Sequence, residues 1–386
     1  MTPLRPLSAA VPFFELRRQT ATIYDEIRAA IDDVCSSGRF ILGAACERLE
    51  TAIAELCGVA HAVSCASGSD ALLLALMALG IGTDDEVVLP TFTFFAPAGA
   101  VARLGARPVF VDIEPGTFTL DPARVARVIT NRTKAIIPVH LFGQCAEIRP
   151  LSELAEKFGL AIVEDAAQAI GATYANAVAG SLGNIGCLSF FPTKNLGCFG
   201  DGGMLTTSSS AVADRLRMLR AHGMTARYHH ESIGINSRLD TLQAAILEVK
   251  LRHLSEWTEQ RSANARRYSE LFAQRGLDIW LKLPTAGPDR SHVWNQYVVR
   301  VEGNQRDSLR QHLTAQNIHT EVYYPEPLHR QPCFADLPWT ASDFVEAERC
   351  AAECLALPIF PELMAEEQVA VVDGISSFLE NPSTRS

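Results

Sequence analysis

The chain has 386 residues, of which 48% are hydrophobic, and a formal net charge of −10. This composition supports a large core and excludes global disorder. The acidic balance argues against nucleic-acid binding, which usually needs a basic face. No stretch reaches the roughly 18 apolar residues that span a membrane, and no signal-peptide core follows the N-terminus, so we expect a cytoplasmic protein without a membrane partner. The ten cysteines show no Cys-x-x-Cys pair, so we predict reduced thiols and no metal site.

The N-terminal half is predicted to be an α/β domain. Residues 11–14 read as an extended arm, which could pack on the chain's own C-terminal part or on a partner, and 22–35 as an amphipathic helix. From residue 60 to about 210, helical stretches alternate with short apolar runs at 63–65, 86–90, 108–111, 135–139, 161–163, 187–191 and 204–207. Because continuous apolar runs are typical of strands buried on both faces, the pattern predicts a mostly parallel sheet covered by helices.

The C-terminal part is predicted to be a smaller α+β domain. Two long helices at 238–254 and 257–272 precede a loop at 284–288 that contains two prolines and a glycine. We place the domain boundary there, with the arm and large domain at 1–285 and the small domain at 286–386. The small domain is predicted to contain strands at 294–301 and 319–323 and helices at 308–316, 342–354 and 365–379.

Asp165 is the first candidate site residue. It follows the apolar run at 161–163 and therefore lies at the carboxyl end of a strand, where α/β sheets bind ligands. A carboxylate there can keep a pyridine nitrogen protonated and make the ring an electron sink. Aspartate is also a favoured helix N-cap, and taken alone that structural role is the stronger interpretation. Gln168 lies on the same side of the chain and could hydrogen-bond the phenolic oxygen of such a ring.

Ser67-Gly68-Ser69 is a candidate phosphate-binding turn. It joins a predicted strand to a helix that begins near Asp70. Exposed amides at a helix N-terminus bind phosphate, and a glycine lets the phosphate approach closely. Such turns are common in α/β folds, so this motif is weak evidence by itself. The chain lacks a Gly-x-Gly-x-x-Gly run, which disfavours a dinucleotide site.

Lys194 follows the predicted strand at 187–191. Most lysines are solvated surface groups, but desolvation at this strand exit would lower the amine's pKa and make it nucleophilic. Such an amine can form a Schiff base with an aldehyde cofactor. An aromatic run at 92–95 also follows a predicted strand. Its period of two leaves both Phe92 and Phe94 as candidates to stack on a planar ring.

Six segments of the chain resemble the DegT/StrS family of nucleotide-sugar aminotransferases that use pyridoxal 5′-phosphate (PLP). They lie at 11–16, 40–43, 164–168, 189–203, 234–245 and 328–332. The resemblance implies an α/β PLP-dependent transferase of fold type I, the aspartate-aminotransferase-like fold, with a large mostly parallel sheet domain and a small C-terminal α+β domain. It also implies PLP as the cofactor and a homodimer whose active sites are shared between the subunits.

The resemblance assigns catalytic and cofactor-binding roles. It implies that Lys194 forms the Schiff base, that Asp165 binds the pyridine nitrogen and that Gln168 binds the phenolic oxygen. Related dehydratases carry a histidine at the lysine position, so Lys194 favours amino transfer. Phe94 matches the ring-stacking aromatic, which decides between it and Phe92. The remaining implied cofactor ligands bind the phosphate: Gly68, Ser69 and Ser189, with Asn236 from the neighbouring subunit.

The resemblance is less specific about the substrate. It implies L-glutamate as the donor and a 3-keto nucleotide sugar as the acceptor, such as UDP-2-acetamido-2-deoxy-3-oxo-glucuronate or a dTDP-3-oxo-6-deoxyhexose. Arg238, from across the interface, could pair bidentately with a sugar carboxylate or form a structural ion pair, and both interpretations stay open. Tyr323, Tyr324 and His329 are further predicted substrate contacts. Tyr323 stands where relatives are expected to carry histidine, which leaves the exact ketosugar open.

Two other functions are compatible with the same motifs. A PLP-binding regulatory protein without transferase activity would keep the cofactor site, although the chain shows no basic patch for DNA. An aminotransferase for a 4-keto nucleotide sugar would keep all the PLP ligands. A nicotinamide-dependent epimerase would need the glycine fingerprint that the chain lacks.

Overall fold

The structure is a computed structural model that describes residues 10–340 and 343–380. The described residues form fourteen strands: β1 (His61–Cys65), β2 (Glu86–Pro90), β3 (Arg107–Val111), β4 (Thr133–Ile136), β5 (Ala161–Asp165), β6 (Thr173–Tyr174), β7 (Ala177–Val178), β8 (Ile185–Ser189), β9 (Gly203–Thr207), β10 (Met224–Ala226), β11 (His229–His230), β12 (Leu281–Lys282), β13 (Tyr297–Val301) and β14 (Cys354–Leu357).

The same residues form thirteen α-helices. These are α1 (Leu16–Thr22), α2 (Tyr24–Ser37), α3 (Ala44–Cys57), α4 (Gly68–Ala78), α5 (Ala96–Arg103), α6 (Pro122–Val128), α7 (Ile148–Phe158), α8 (Ser210–Leu219), α9 (Thr241–Leu251), α10 (Leu254–Gln274), α11 (Arg306–Ala315), α12 (Val345–Glu353) and α13 (Ala365–Glu380).

A seven-stranded sheet organises the N-terminal part of the molecule. Its strand order is β1-β9-β8-β5-β4-β2-β3. The pairs β2–β3, β2–β4, β4–β5 and β5–β8 are parallel, whereas β9 is antiparallel to both β1 and β8. Every residue of β2 and β9 is buried. The predicted α/β class with a mostly parallel, helix-covered sheet is therefore confirmed, and the carboxyl end of β5 places Asp165 at the sheet edge where ligands bind.

A smaller antiparallel sheet, β12-β13-β14, forms the C-terminal part together with α10, α11 and α13. Its core contains Tyr268 and Phe272 from α10 and Tyr297 from β13. Residues on both sides of position 285 therefore share this core, and the proposed boundary at 285/286 stays a prediction. The extended arm packs here, because the Val11 amide donates to the Asn317 carbonyl at 2.9 Å.

Two predicted elements differ from the observed ones. Residues 319–323 form no strand, because only Glu321 bridges to Ala356 and β14 takes the place beside β13. The helix predicted from residue 238 begins at Thr241 instead. The Thr241 amide donates a 2.9 Å hydrogen bond to the Phe40 carbonyl, so the residues before it remain extended along the 40–41 segment.

The ten cysteines, all within the described ranges, form no disulfide. No group of three or more metal-ligating side chains was found among residues 10–340 and 343–380. No helix in the described part of the chain is long and apolar enough to cross a membrane.

Candidate active site

A cavity of about 340 Å³ opens at the carboxyl end of β5. It brings together side chains from the turn before α4, the loop after β2, the end of β5, the loop after β8 and the 323–324 segment. Nine of the residues predicted from the sequence line it: Gly68, Ser69, Phe94, Asp165, Gln168, Ser189, Lys194, Tyr323 and Tyr324. Asn236, Arg238 and His329 do not.

Asp165 is the buried anion of the cavity, with 5% of its surface exposed. Burial raises its pKa, while a 3.1 Å hydrogen bond from the Ala167 amide to Oδ1 and the charge of Lys194 act in the opposite direction. No helix begins after Asp165, so the alternative N-cap role is not what the structure shows. A carboxylate with one remaining free oxygen in a buried cavity is suited to pair with a protonated ring nitrogen.

Glu164 and His140 fix the strand end that carries Asp165. Both side chains are fully buried, and His140 Nε2 lies 2.9 Å from Glu164 Oε2. His140 Nδ1 accepts the Ala146 amide at 3.1 Å, so in the neutral imidazole the proton sits on Nε2 and is donated to the carboxylate. Backbone amides at 180, 182 and 183 also donate to Glu164. A fully satisfied buried network of this kind rigidifies its surroundings.

Lys194 supplies the amine of the cavity. It is half-buried, and burial lowers its pKa to about 8, with the nearby charge of Asp165 opposing that shift. Its backbone is held in a tight turn, since the Lys194 amide donates to the Phe191 carbonyl at 2.8 Å and the Cys198 amide to the Phe190 carbonyl at 2.7 Å. A lysine with a lowered pKa has a substantial neutral, nucleophilic fraction near neutral pH.

Gln168 presents a fixed amide to the cavity. Its Oε1 accepts the Phe142 amide at 2.6 Å, so its Nε2 group faces the other way and donates to the Tyr324 hydroxyl oxygen at 3.2 Å. Burial raises the pKa of Tyr324, which therefore stays neutral at physiological pH. Gln168 and Tyr324 thus form a neutral pair of donors beside Asp165, suited to an oxygen on the cofactor ring.

The turn at the start of α4 allows an anion to approach the backbone closely. Ser67 caps the helix, because its Oγ accepts the Asp70 amide at 3.1 Å. A Cβ atom on Gly68 would lie only 2.6 Å from Cβ of Ser189, so the turn packs directly against the end of β8. The amides at the start of this eleven-residue helix, together with the hydroxyls of Ser69 and Ser189, make an anion cradle.

The structure separates the two aromatic candidates. Phe92 is fully buried and packs against Phe118, Phe142 and Tyr324. Phe94 is 57% exposed and lines the cavity, with its ring centroid 6.4 Å from that of Tyr324. Only Phe94 is therefore placed to stack on a ring that enters the cavity.

Two further cavity residues were not found from the sequence. Thr93 is 2% exposed, and its Oγ1 has no hydrogen-bond partner among the described residues. Gln296 Oε1 is likewise unpartnered, and both residues line the cavity. Buried polar atoms without partners cost free energy unless a ligand or water satisfies them. With the amine, the buried carboxylate and the anion cradle, these atoms fit a phosphorylated pyridine aldehyde such as PLP.

Asn236 and Arg238 line a second depression of about 520 Å³, together with Ile41 and Gln243, and this depression adjoins the cavity at Asp201, which lines both. Ser237 between them is fully buried. Asn236 is exposed and Arg238 half-exposed, and Arg238 forms no ion pair with any described residue. The intrachain ion pair considered for Arg238 is thus not observed in the described part of the chain, and neither side chain reaches the chain's own cavity.

His329 corrects one prediction. It is 1% exposed, and its Nδ1 lies 2.7 Å from Thr91 Oγ1 while its Nε2 lies 2.9 Å from Glu348 Oε1. Its ring packs against Trp339 and Phe344. Both ring nitrogens are satisfied within the protein, so His329 holds two segments together instead of contacting a substrate in the cavity.

Comparisons with known proteins agree with this geometry. Residues 21–376 match the model of the DegT/DnrJ/EryC1/StrS aminotransferase family. The pleiotropic regulatory protein of Geobacillus stearothermophilus is 48% identical over 95% of this chain and 98% of its own. The UDP-N-acetyl-3-dehydro-alpha-D-glucosamine 3-aminotransferase of Acidithiobacillus ferrooxidans is 46% identical over 94% of this chain and 96% of its own.

Two further matches come from Streptomyces venezuelae. Its dTDP-3-amino-3,4,6-trideoxy-alpha-D-glucose transaminase is 44% identical over 96% of both chains. The crystal structure of DesV in complex with a ketimine intermediate superposes with a TM-score of 0.93 at 43% identity, covering 97% of this chain and all of that one. The chain belongs to the DegT/DnrJ/EryC1/StrS aminotransferase family.

Proposed function

We propose that this protein transfers the amino group of L-glutamate to the C3 keto carbon of a nucleotide-linked sugar, with PLP as its cofactor. The observation that carries the proposal is one cavity that holds Lys194, whose pKa burial lowers to about 8, together with the buried carboxylate of Asp165 and the anion cradle at Gly68. Family membership supports the reaction class, and the relatives that act at C3 support the position.

Each cavity residue has a defined task in this reaction. When bound, PLP accepts the amino group and withdraws electrons from the carbon that loses its proton. Asp165 would lie beside the pyridine nitrogen, and the Gln168–Tyr324 pair would donate hydrogen bonds to the ring oxygen. Lys194 would hold the cofactor covalently, and its free amine would be placed to move the proton at the donor α-carbon.

The homodimer is part of this proposal. Asn236 and Arg238 line a neighbouring depression and not the chain's own cavity, so we assign them to the cavity of a second copy. Large apolar side chains are exposed beside this depression: Ile41, which lines it, is 49% exposed, and the adjacent Phe40 is 45% exposed. Exposed apolar clusters of this kind mark protein interfaces. Asn236 would then bind the partner's cofactor phosphate and Arg238 the partner's substrate.

The choice of sugar depends on charge. Among the described residues that line the cavity, Lys194 is the single cation, so a uronate acceptor would depend on Arg238 from the second copy for its carboxylate. A neutral acceptor, such as the UDP-N-acetyl-3-dehydro sugar of the relative from Acidithiobacillus ferrooxidans, would not need that contact. The neutral and the acidic 3-keto sugars are therefore the two acceptors to compare first.

A panel of acceptors tests the proposal. The protein is converted to its aminated form with L-glutamate, and recovery of the PLP absorbance is followed after adding a 3-keto UDP-N-acetylglucosamine, a 3-keto UDP-glucuronate, a dTDP-3-oxo-6-deoxyhexose or a 4-keto sugar. Rapid recovery with one 3-keto sugar and none with Lys194→Ala supports the proposal. Turnover restricted to the 4-keto sugar would contradict C3 transfer, and no turnover with any acceptor would contradict the aminotransferase.

A regulatory protein without transferase activity is the second candidate, and one observation favours it. The relative at 48% identity is named a pleiotropic regulatory protein. The protein's net charge of −10 does not favour DNA binding. Measurable transamination together with no shift of DNA mobility would eliminate this candidate.

A further inference from the structure

Lys250 is a buried lysine that the proposed reaction leaves without a task. It lies near the end of α9, and only 1% of its surface is exposed. It forms no ion pair with any carboxylate in residues 10–340 and 343–380. Burying an ammonium group is costly unless specific partners compensate it. The contacts of this side chain therefore need an explanation beyond filling space, which a leucine or methionine would do at lower cost.

The Lys250 amine makes two direct contacts with the loop that carries Lys194, while the charge of Glu362 acts on it from outside that loop and raises its pKa. Its Nζ donates a 2.7 Å hydrogen bond to the Gly197 carbonyl, three residues after Lys194. The same Nζ lies 5.0 Å from the centroid of the Phe199 ring, within cation–π range. Burial lowers the pKa of Lys250 to about 8, and its amine keeps N–H donors in both protonation states. Lys250 thus stabilises the 194–199 loop through its contacts with Gly197 and Phe199.

The loop itself has little freedom. A Cβ atom on Gly197 would overlap the Pro192 carbonyl, so the backbone closes on itself at that position. On the opposite side Asn195 donates to the Val293 carbonyl at 2.9 Å and accepts from Asn295 at 2.9 Å. A turn held from both sides presents the Lys194 side chain in one direction.

A second residue of α9 holds the same loop. Gln243 accepts the Phe199 amide at 2.8 Å and donates to the Phe199 carbonyl at 3.3 Å. Gln243 and Lys250 are seven positions apart, which places them on one face of a helix about two turns apart. One face of α9 therefore forms hydrogen bonds with the loop at two residues, Gly197 and Phe199.

We propose that Lys250 is a positioning residue that holds the 194–199 loop so that the Lys194 amine points at the cofactor carbonyl. The proposal rests on the proposed role of Lys194. Lys250 does not touch the cofactor, since it does not line the cavity. It acts through the Gly197 carbonyl, and its hydrogen bond, not its charge, is the property that matters.

Covalent attachment of PLP to the apoprotein measures this role without any turnover. Lys250→Met removes the donor and keeps the length of the side chain, whereas Lys250→Gln keeps an N–H donor without charge. Lys282→Met is the matched control, because Lys282 is exposed and pairs with Glu302 far from the loop. Apoproteins are mixed with PLP, adducts are trapped at intervals with borohydride, and labelled Lys194 is quantified by mass spectrometry. Hydrogen exchange of residues 191–199 is measured on the same apoproteins.

We expect Lys250→Met to attach PLP at least about tenfold more slowly than wild type and to exchange amides faster in 191–199, corresponding to loss of about one hydrogen bond. Lys250→Gln should recover most of the rate, and Lys282→Met should match wild type. A folded Lys250→Met protein that attaches PLP within about twofold of the wild-type rate would overturn the proposal. If Lys250→Met does not fold, the test relies on a folded Lys250→Gln protein. A PLP attachment rate near that of wild type supports the role of the hydrogen bond, and a rate about tenfold lower refutes it. Stoichiometric labelling of a different lysine in Lys194→Ala would instead refute the role of Lys194.

Discussion

Ser237 Oγ donates a 2.7 Å hydrogen bond to Asp70 Oδ2 and accepts the Ala66 amide at 3.0 Å. Asp70 lies in the first turn of α4, directly behind the anion cradle. The buried serine therefore ties the segment that carries Asn236 and Arg238 to the cradle of its own chain. In a dimer, the anion cradle of one active site would therefore be linked rigidly to the Asn236 and Arg238 side chains that extend from the same chain to the other active site.

Replacing Ser237 tests this connection. Ser237→Ala leaves Asp70 without a buried partner, which should lower the free energy of unfolding by about 1–3 kcal/mol. It should also weaken PLP binding, because the cradle and the 236–238 segment lose their link. Thermal unfolding and PLP titration measure the two effects. Ser376→Ala, on an exposed face of α13, is the control and should change neither. Unaltered PLP affinity in Ser237→Ala would show that the link is only structural.

Shared active sites predict rescue between two variants that are inactive toward an acidic acceptor. Lys194→Ala removes the amine of a cavity, and Arg238→Ala removes a side chain that serves the cavity of the second copy. A mixed dimer then contains one cavity with both changes and one with neither. Reassembling equal amounts of the two variants should therefore restore about a quarter of wild-type activity, because about half of random dimers are mixed and each has one intact site. Activity no higher than that of the separate variants would place Arg238 in its own chain's site.

The lowered pKa of Lys194 predicts how PLP attachment depends on pH. Because burial brings that pKa to about 8, the neutral amine dominates above this pH and the unreactive ammonium below it. The attachment rate of the apoprotein should rise with pH and level off near pH 8 rather than near the ordinary lysine value of 10.5. Asp165→Asn removes the charge that raises the pKa, so its plateau should begin at a lower pH. A plateau that stays in place in Asp165→Asn would contradict the electrostatic coupling.

Gly68 gives a prediction with a matched glycine as control. Gly68→Ala brings a Cβ within 2.6 Å of Ser189 Cβ, so the turn must move away from the end of β8. We expect PLP affinity to fall by about tenfold or more, because the backbone amides of the cradle would no longer point at the phosphate. Gly82→Ala adds a Cβ that meets no atom within 4 Å and should leave affinity unchanged. Equal affinities for both variants, measured by fluorescence titration, would contradict a phosphate site at this turn.

The sequence alone placed two candidate residues at strand ends. Asp165 stands at the end of an apolar run and Lys194 follows a buried strand, whereas their proposed roles came from the family resemblance. The mostly parallel sheet was predictable for the same reason, because strands buried on both faces leave unbroken apolar runs. The family resemblance added the stacking role of Phe94, which alternation by itself could not separate from Phe92.

Only the tertiary structure decided the features that depend on contacts between distant segments. His329 was expected near the sugar, yet Thr91 and Glu348, 238 and 19 positions away, satisfy both its ring nitrogens. Thr93 and Gln296 carry no local signal and become apparent only as unpartnered polar atoms facing the same cavity. Lys250 resembles any helical lysine until its amine is found on the Gly197 carbonyl. Local patterns encode which face of an element is buried, whereas the partner buried against it is set by the packing of the whole chain.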